Sequence, residues 1–133
     1  MAVFSVPFRF RVAALSHSCD FLGEAGGSVA RTNPFPASAG TIQAGKTLYL
    51  KTAQPVACAM CHGEQGDGKG IMGAALVPPP RNFTCGSMMK DLPDGQLFWI
   101  IKNGSPGTGM MPFVGLPDEQ VWQIIHYVRS LAK

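Results

Sequence analysis

The sequence predicts an all-α domain of three to four helices joined by long loops. Three observations lead there. Apolar residues recur at helical spacing in three stretches, no stretch alternates apolar and polar residues over the length of a strand, and 16 glycines with 11 prolines in 133 residues leave long connections between few helices. The length suits one compact domain.

The first 38 residues add little to that domain. Residues 1–22 begin with the apolar run Met1 to Val6, carry Arg9 and Arg11, and then offer only Val12 to Leu15, whereas a secretory signal wants about 7–15 apolar residues and a small-residue cleavage site. Cys19 follows Ser16-His17-Ser18, which lacks the apolar and small pattern expected before a lipid-anchored cysteine. Gly23 to Gly40, with Gly26-Gly27 and Pro34-Phe35-Pro36, reads as linker. Residues 1–38 are therefore read as a poorly structured leader, either a degenerate signal or a start set too far upstream, and 39–133 as the folded domain.

The first helix is expected from Thr41 to Thr52, where Ile42, Ala44, Leu48 and Tyr49 make an apolar side and no proline intervenes before Pro55. Gly45 sits inside it at a cost of about 1 kcal/mol relative to alanine, so that position calls for the close approach of another backbone. A second helix, Asp94 to Lys102, is opened by Pro93-Asp94 and closed by Asn103-Gly104, with Leu97, Phe98, Ile100 and Ile101 apolar. Residues 117 to 132 form the clearest helix. Val121, Ile124, Ile125, Val128 and Leu131 give it a core-facing stripe. Pro117 suits the first helical position, Asp118 and Glu119 the positive end of the helix dipole, and Arg129 and Lys133 its negative end.

The chemistry centres on Cys58-Ala59-Met60-Cys61-His62. Two thiols at this spacing can add across the two vinyl groups of a haem, and the adjacent histidine is then placed to coordinate iron. A thioredoxin-like redox pair would need a βαβ context, and a structural zinc site would need two more ligands at metal spacing. Cys19, Cys85, His17 and His126 are each isolated. Haem attachment is the reading adopted, and a buried porphyrin would give a loop-rich small domain an apolar centre to pack on.

Two loops flank this motif in function. Gly63 to Gly70 comes within one residue of a P-loop, but no Ser or Thr follows Lys69, and Glu64 and Asp67 would repel phosphates. Its glycines are expected to let the chain turn tightly beside the haem. Gly104 to Phe113 carries Met110-Met111-Pro112. A thioether is a soft, neutral iron ligand that such a loop can bring to the open haem face, and either methionine can supply it.

Gly45 with Tyr49, Cys58-x-x-Cys61-His62-Gly63, Gly73-x-x-Leu76, Leu97-Phe98-Trp99 before Asn103-Gly104, Met111-Pro112-Phe113 and Tyr127-Val128 together resemble class I cytochrome c, over roughly Ala39 to Lys133. The resemblance implies a small cytochrome c fold wrapped around one covalently bound haem c. Cys58 and Cys61 would form the thioethers, His62 the proximal iron ligand and Met111 the distal one, favoured over Met110 because the family places its ligand directly before proline. Gly45 and Tyr127 would lie where the terminal helices cross. The family's histidine ligand commonly donates its second N–H to the carbonyl of a proline in the Gly-x-x-Leu segment. Ala74 takes that position here, and its carbonyl can still accept the bond. Arg81, Trp99 and Lys102 are candidates to contact haem propionates. Cys85 reads as a buried thiol or, in an oxidising compartment, a disulfide partner for Cys19, and His126 as a surface or packing residue.

The implied function is one-electron transfer between redox partners, not enzyme catalysis. The alternatives are a haem-based sensor or small peroxidase-like site in which Met111 is displaced, and a dedicated electron-transfer subunit of a larger oxidoreductase. Donor dehydrogenase or cytochrome complex and acceptor oxidase or reductase are the partners expected, met through small interfaces by a monomer or a complex subunit. The formal charge is +3, and from residue 40 onward eight Lys and Arg face six Asp and Glu, with no basic stripe to suggest nucleic acid. No run of about 18 apolar residues suggests a membrane span. Thioether-linked haem implies a periplasmic or otherwise extracytoplasmic site.

Overall fold

The computed structural model describes residues 30–133, and the leader, with Arg9, Arg11, His17 and Cys19, lies outside the described residues. The architecture is all-α, with no strand among the described residues. Helix α1 spans Ala39–Thr47 and runs on into a π-helical turn, Leu48–Thr52. It is followed by α2 (Ala59–His62), a 3-10 turn (Gly73–Ala75), α3 (Gly86–Met89), α4 (Asp94–Asn103) and α5 (Asp118–Ser130). The three helices expected from periodicity are present, α4 and α5 within about two residues of their anticipated ends. The single-turn helices α2 and α3 were not anticipated, because four residues are too few to carry a periodic signal.

The start of helix α1 is specified locally. The Ser38 hydroxyl accepts from the Thr41 backbone N–H at 3.2 Å, while the Thr41 hydroxyl accepts from the Ser38 N–H at 2.9 Å, a reciprocal cap that satisfies two N–H groups of the helix start. One turn further on, Gly45 meets α5. A Cβ built there would stand 1.9 Å from the Gln123 carbonyl oxygen, so only glycine lets the two backbones cross this closely. Tyr127 lies one turn along α5, its ring 5.1 Å from that of Tyr49 in an edge-to-face arrangement.

The core runs along this crossing. Tyr49, Val121 and Ile125 are fully buried, with Ile124 and Met89 nearly so. Arg129 ties the far end of α5 to α4 and α3. Its guanidinium pairs with Asp94 at 2.7 Å and also donates to the carbonyls of Met89 and Leu92.

Residues 31–36, read from sequence as the end of a linker, pack on the outside of α4 and α5. Arg31 lies 4.2 Å from the centroid of the Phe98 ring and 3.4 Å from the Asp118 carboxylate. Asn33 donates to the Trp122 carbonyl at 3.1 Å, and His126 Nε2 donates to the Phe35 carbonyl at 2.7 Å. These contacts are made by single side chains, which leave no periodic signal. They give His126 the packing role expected of it. Cys85 is disulfide-bonded, so its reading as a buried free thiol is corrected, whereas Cys58 and Cys61 are free thiols.

Candidate functional site

The haem-attachment motif folds as one helical turn. Cys58 caps α2 with helical dihedrals of −56° and −35°, and its carbonyl accepts from the His62 N–H at 2.9 Å. Positions i, i+3 and i+4 of a helix share one face, so the turn brings Cys58, Cys61 and His62 to the same side. Gly63 ends it at a φ of 83°, and the buried Tyr49 hydroxyl donates to the Gly63 carbonyl at 2.7 Å. Burial, with smaller contributions from Cys58, Tyr127 and Asp67, raises the Tyr49 phenol well above its ordinary range and keeps it protonated.

The loop after the motif turns back at once. Gly63, Gly66 and Gly68 all have positive φ. Gly68 N–H donates to the His62 carbonyl at 2.8 Å, and the Phe83 N–H donates to the Gly66 carbonyl at 2.7 Å. The near P-loop pattern is thus a tight return beside the motif.

That return brings Arg81 and Phe83 to His62. The His62 ring stacks on Phe83 with centroids 4.5 Å apart, and its Nδ1 lies 3.1 Å from the Arg81 carbonyl oxygen. A carbonyl only accepts, so Nδ1 carries the proton and Nε2 keeps its lone pair, the tautomer that ligates a metal. Burial lowers the imidazolium pKa, opposed in part by this hydrogen bond, and so favours the neutral ring. The acceptor differs from the expected Ala74, which is exposed in the 3-10 turn. Because any backbone carbonyl can serve, side-chain identity gave no signal for Arg81. Phe83 was missed too, as a lone aromatic outside any periodic stretch.

Cys58, Cys61 and His62 line one wall of an apolar cleft. Tyr49, Phe83, Ile124, Ile125 and Val128 floor it, and the prolines Pro78 to Pro80 edge it. Arg81 contributes its side chain to the lining, and burial lowers its guanidinium pKa. Met110 and Met111 both line the same cleft. Their loop is hung on α4 by the Phe113 N–H, which donates to the Ile101 carbonyl at 2.9 Å, and closed by the Ser105 N–H, which donates to the Met110 carbonyl at 3.1 Å.

Two expected contacts fall elsewhere. Trp99 and Lys102 line a separate groove with Arg31 and Asp118 on the other side of α4. Lys102 Nζ donates to the Leu116 carbonyl at 2.8 Å and stands 3.2 Å from the Asp118 carboxylate.

These residues fit a covalently held haem. The cleft is lined almost wholly by apolar side chains, with His62 and the two thiols among the few polar groups that reach it, the composition expected of a cofactor pocket. Burial pushes the Cys58 thiol up to about 12, with Cys61 beside it adding to the shift, and raises Cys61 as well. Both therefore stay as neutral S–H groups near pH 7.

A thiol pair and histidine on one helical turn, set in an apolar cleft of an all-α fold, define a class I c-type cytochrome. The chain belongs to the family described as cytochrome c oxidase, cbb3-type, subunit III, whose model matches residues 40–128. Among solved structures it is similar to a chain of the Kuenenia stuttgartiensis reducing HAO-like protein complex, at 28% identity and a TM-score of 0.64 over 83% of this chain. It spans 51%, about half, of that neighbour's length. It is also similar to the KustC0563 c-type cytochrome, at 28% identity and a TM-score of 0.53 over 67% of this chain and 98% of the other. Cytochrome CL from the marine methylotrophic bacterium Methylophaga aminisulfidivorans shares the fold, at 24% identity and a TM-score of 0.57 over 83% of this chain and 71% of that one. Membership of a c-type cytochrome family implies covalently bound haem c and an electron-carrying role. No helix among the described residues is long and apolar enough to cross a membrane.

Proposed function

We propose that the chain carries one electron at a time on a single haem, attached through Cys58 and Cys61 and ligated by His62 and Met111. The observation that carries this reading is the His62 tautomer fixed by the Arg81 carbonyl, beside a cleft that Met110 and Met111 also line. A haem iron so held supplies one-electron exchange between ferric and ferrous states, and methionine sulfur favours the ferrous one. The chain's own residues do the rest. Phe83 and the Arg81 carbonyl hold the His62 ring in one orientation, and the apolar lining excludes water. The single Cys-x-x-Cys-His motif supports one haem per chain.

The site of action is periplasmic or otherwise extracytoplasmic, as thioether attachment of haem implies. A dedicated-subunit role is the second reading, supported by the family's description as an oxidase subunit and by a similar chain from a protein complex. The test is an absorption spectrum before and after reduction, with acid extraction of the haem. Retention of haem in acid and a methionine-to-iron charge-transfer band are expected. Met111→Ala should abolish that band and Met110→Ala should keep it. The reverse outcome would make Met110 the ligand, and loss of haem to acid would sink the covalent reading.

A further inference from the structure

The stretch from Ser105 to Met110 closes into a small ring. The Thr108 N–H and the Thr108 hydroxyl both donate to the Ser105 carbonyl, at 3.1 and 2.7 Å, and the Ser105 N–H donates to the Met110 carbonyl at 3.1 Å. The same hydroxyl oxygen accepts from the Met110 N–H at 3.2 Å. Thr108 thus spends its one donor on the first residue of the ring and an acceptor lone pair on the last. Gly104, at a φ of 78°, lets the end of the ring lie back on its start, since a Cβ there would stand 2.7 Å from the Met110 carbonyl oxygen.

Met111 has no such hold of its own. Among the described residues its backbone N–H and carbonyl make no hydrogen bond, and Pro112 after it has no N–H to give. Its place is therefore set from its two flanks. On the far side the Phe113 N–H is bonded to the Ile101 carbonyl at 2.9 Å. On the near side stands Met110, whose N–H and carbonyl are both taken up inside the ring. Thr108 also lines the cleft. An apolar cleft gives no reason for a hydroxyl, which is costly to bury unless it is paired, whereas the ring uses both its donor and its acceptor.

We propose that Thr108 is a positioning residue for the iron ligand: its hydroxyl holds Met110 from within the loop and so fixes where Met111 presents its sulfur. The inference rests on the methionine-ligated carrier reading above. The hydroxyl acts through the backbone of Met110, and a serine at this position would serve as well.

The probe is imidazole, titrated into the oxidised, haem-loaded chain and followed by absorption. It competes with methionine for the iron, so its apparent binding constant reads how much of the time the loop holds the sulfur away from that position. Thr108→Val removes the hydroxyl and leaves the Met110 N–H unpaired, and should raise the constant about tenfold. Thr108→Ser should return it to within about twofold of the wild type. The control is Thr47→Val, which deletes a hydroxyl bonded to the Gln43 carbonyl at 3.2 Å on the exposed side of α1 and should also leave the constant within about twofold. An unchanged constant in Thr108→Val, no rescue by serine, or an equal rise in Thr47→Val overturns the positioning role. Amide exchange of the wild-type chain gives a check that does not depend on any variant folding: the Met110 N–H should be protected, and an unprotected one overturns the clamp. A wild-type chain without the methionine-to-iron band overturns the ligand reading itself, whereas a normal band with an unmoved imidazole constant in Thr108→Val overturns the role of Thr108 alone.

Discussion

The two sides of the cleft are built differently. His62 sits on a helical turn, with its ring stacked on Phe83, its Nδ1 bonded to the Arg81 carbonyl and the next residue's carbonyl held by the buried Tyr49 hydroxyl. The methionine side is a loop of glycines and prolines. Met111 there is 37% exposed, and backbone hydrogen bonds from Ser105 and Phe113 supply the main fastening. One side fixes a ligand by packing from several directions, and the other presents two candidate ligands on a strand of loop. The contrast suits a carrier in which the protein, at one face, must hold the ring geometry constant through each electron transfer, while the soft thioether at the other adapts to it.

The sharpest way to break the contrast is to empty the packed side. Phe83 is 9% exposed and touches both the His62 and Tyr49 rings. Phe83→Ala should cost about 3–5 kcal/mol, read from denaturant unfolding of the haem-loaded chain, and should broaden the NMR signals of the His62 ring as it gains freedom. A loss below about 1 kcal/mol would mean the packed side does not depend on this stack.

Gly45→Ala acts on the same side from further away, by forcing apart the helices that position Tyr49. The new Cβ meets a backbone carbonyl at 1.9 Å, and backbone cannot rotate out of the way. Overpacking costs about 1–3 kcal/mol, partly offset by about 1 kcal/mol of better helix propensity, so a net loss of about 1 kcal/mol is expected in the same unfolding measurement. A neutral or stabilising result would show that α1 and α5 separate freely.

How much of this was legible in the sequence follows from the same contrast. Cys58, Cys61 and His62 announced themselves because the chemistry demands those side chains at that spacing. Gly45 announced the helix crossing because glycine inside a helix needs a reason. The fixing of His62 did not show, since it is done by a backbone carbonyl at Arg81, and carbonyls are common to every residue. Trp99 and Lys102 misled because side-chain type suggested propionate contacts while their place on α4 turns them into the groove with Arg31 and Asp118. The packing of residues 31–36 was hidden for a related reason, as Asn33 and His126 reach backbone carbonyls rather than recognisable partners.

Two milder substitutions sharpen the comparison by matching one deletion on each side. Tyr49→Phe removes the hydroxyl from the Gly63 carbonyl, which keeps only the Gly66 N–H at 3.1 Å, and should cost about 0.5–1.5 kcal/mol. Gly107 is its counterpart on the methionine loop. It has a φ of 77°, and a Cβ there would meet nothing within 4 Å. Gly107→Ala therefore introduces no clash, only the strain of a left-handed residue, about 1 kcal/mol, reduced by the lower entropy of the unfolded chain. Its effect on global unfolding should be the smaller of the two, and the methionine-to-iron band should persist. If Gly107→Ala instead destabilised the chain more than Tyr49→Phe, the methionine loop would be as tightly determined as the histidine side, and the asymmetry between the two walls would have to be abandoned.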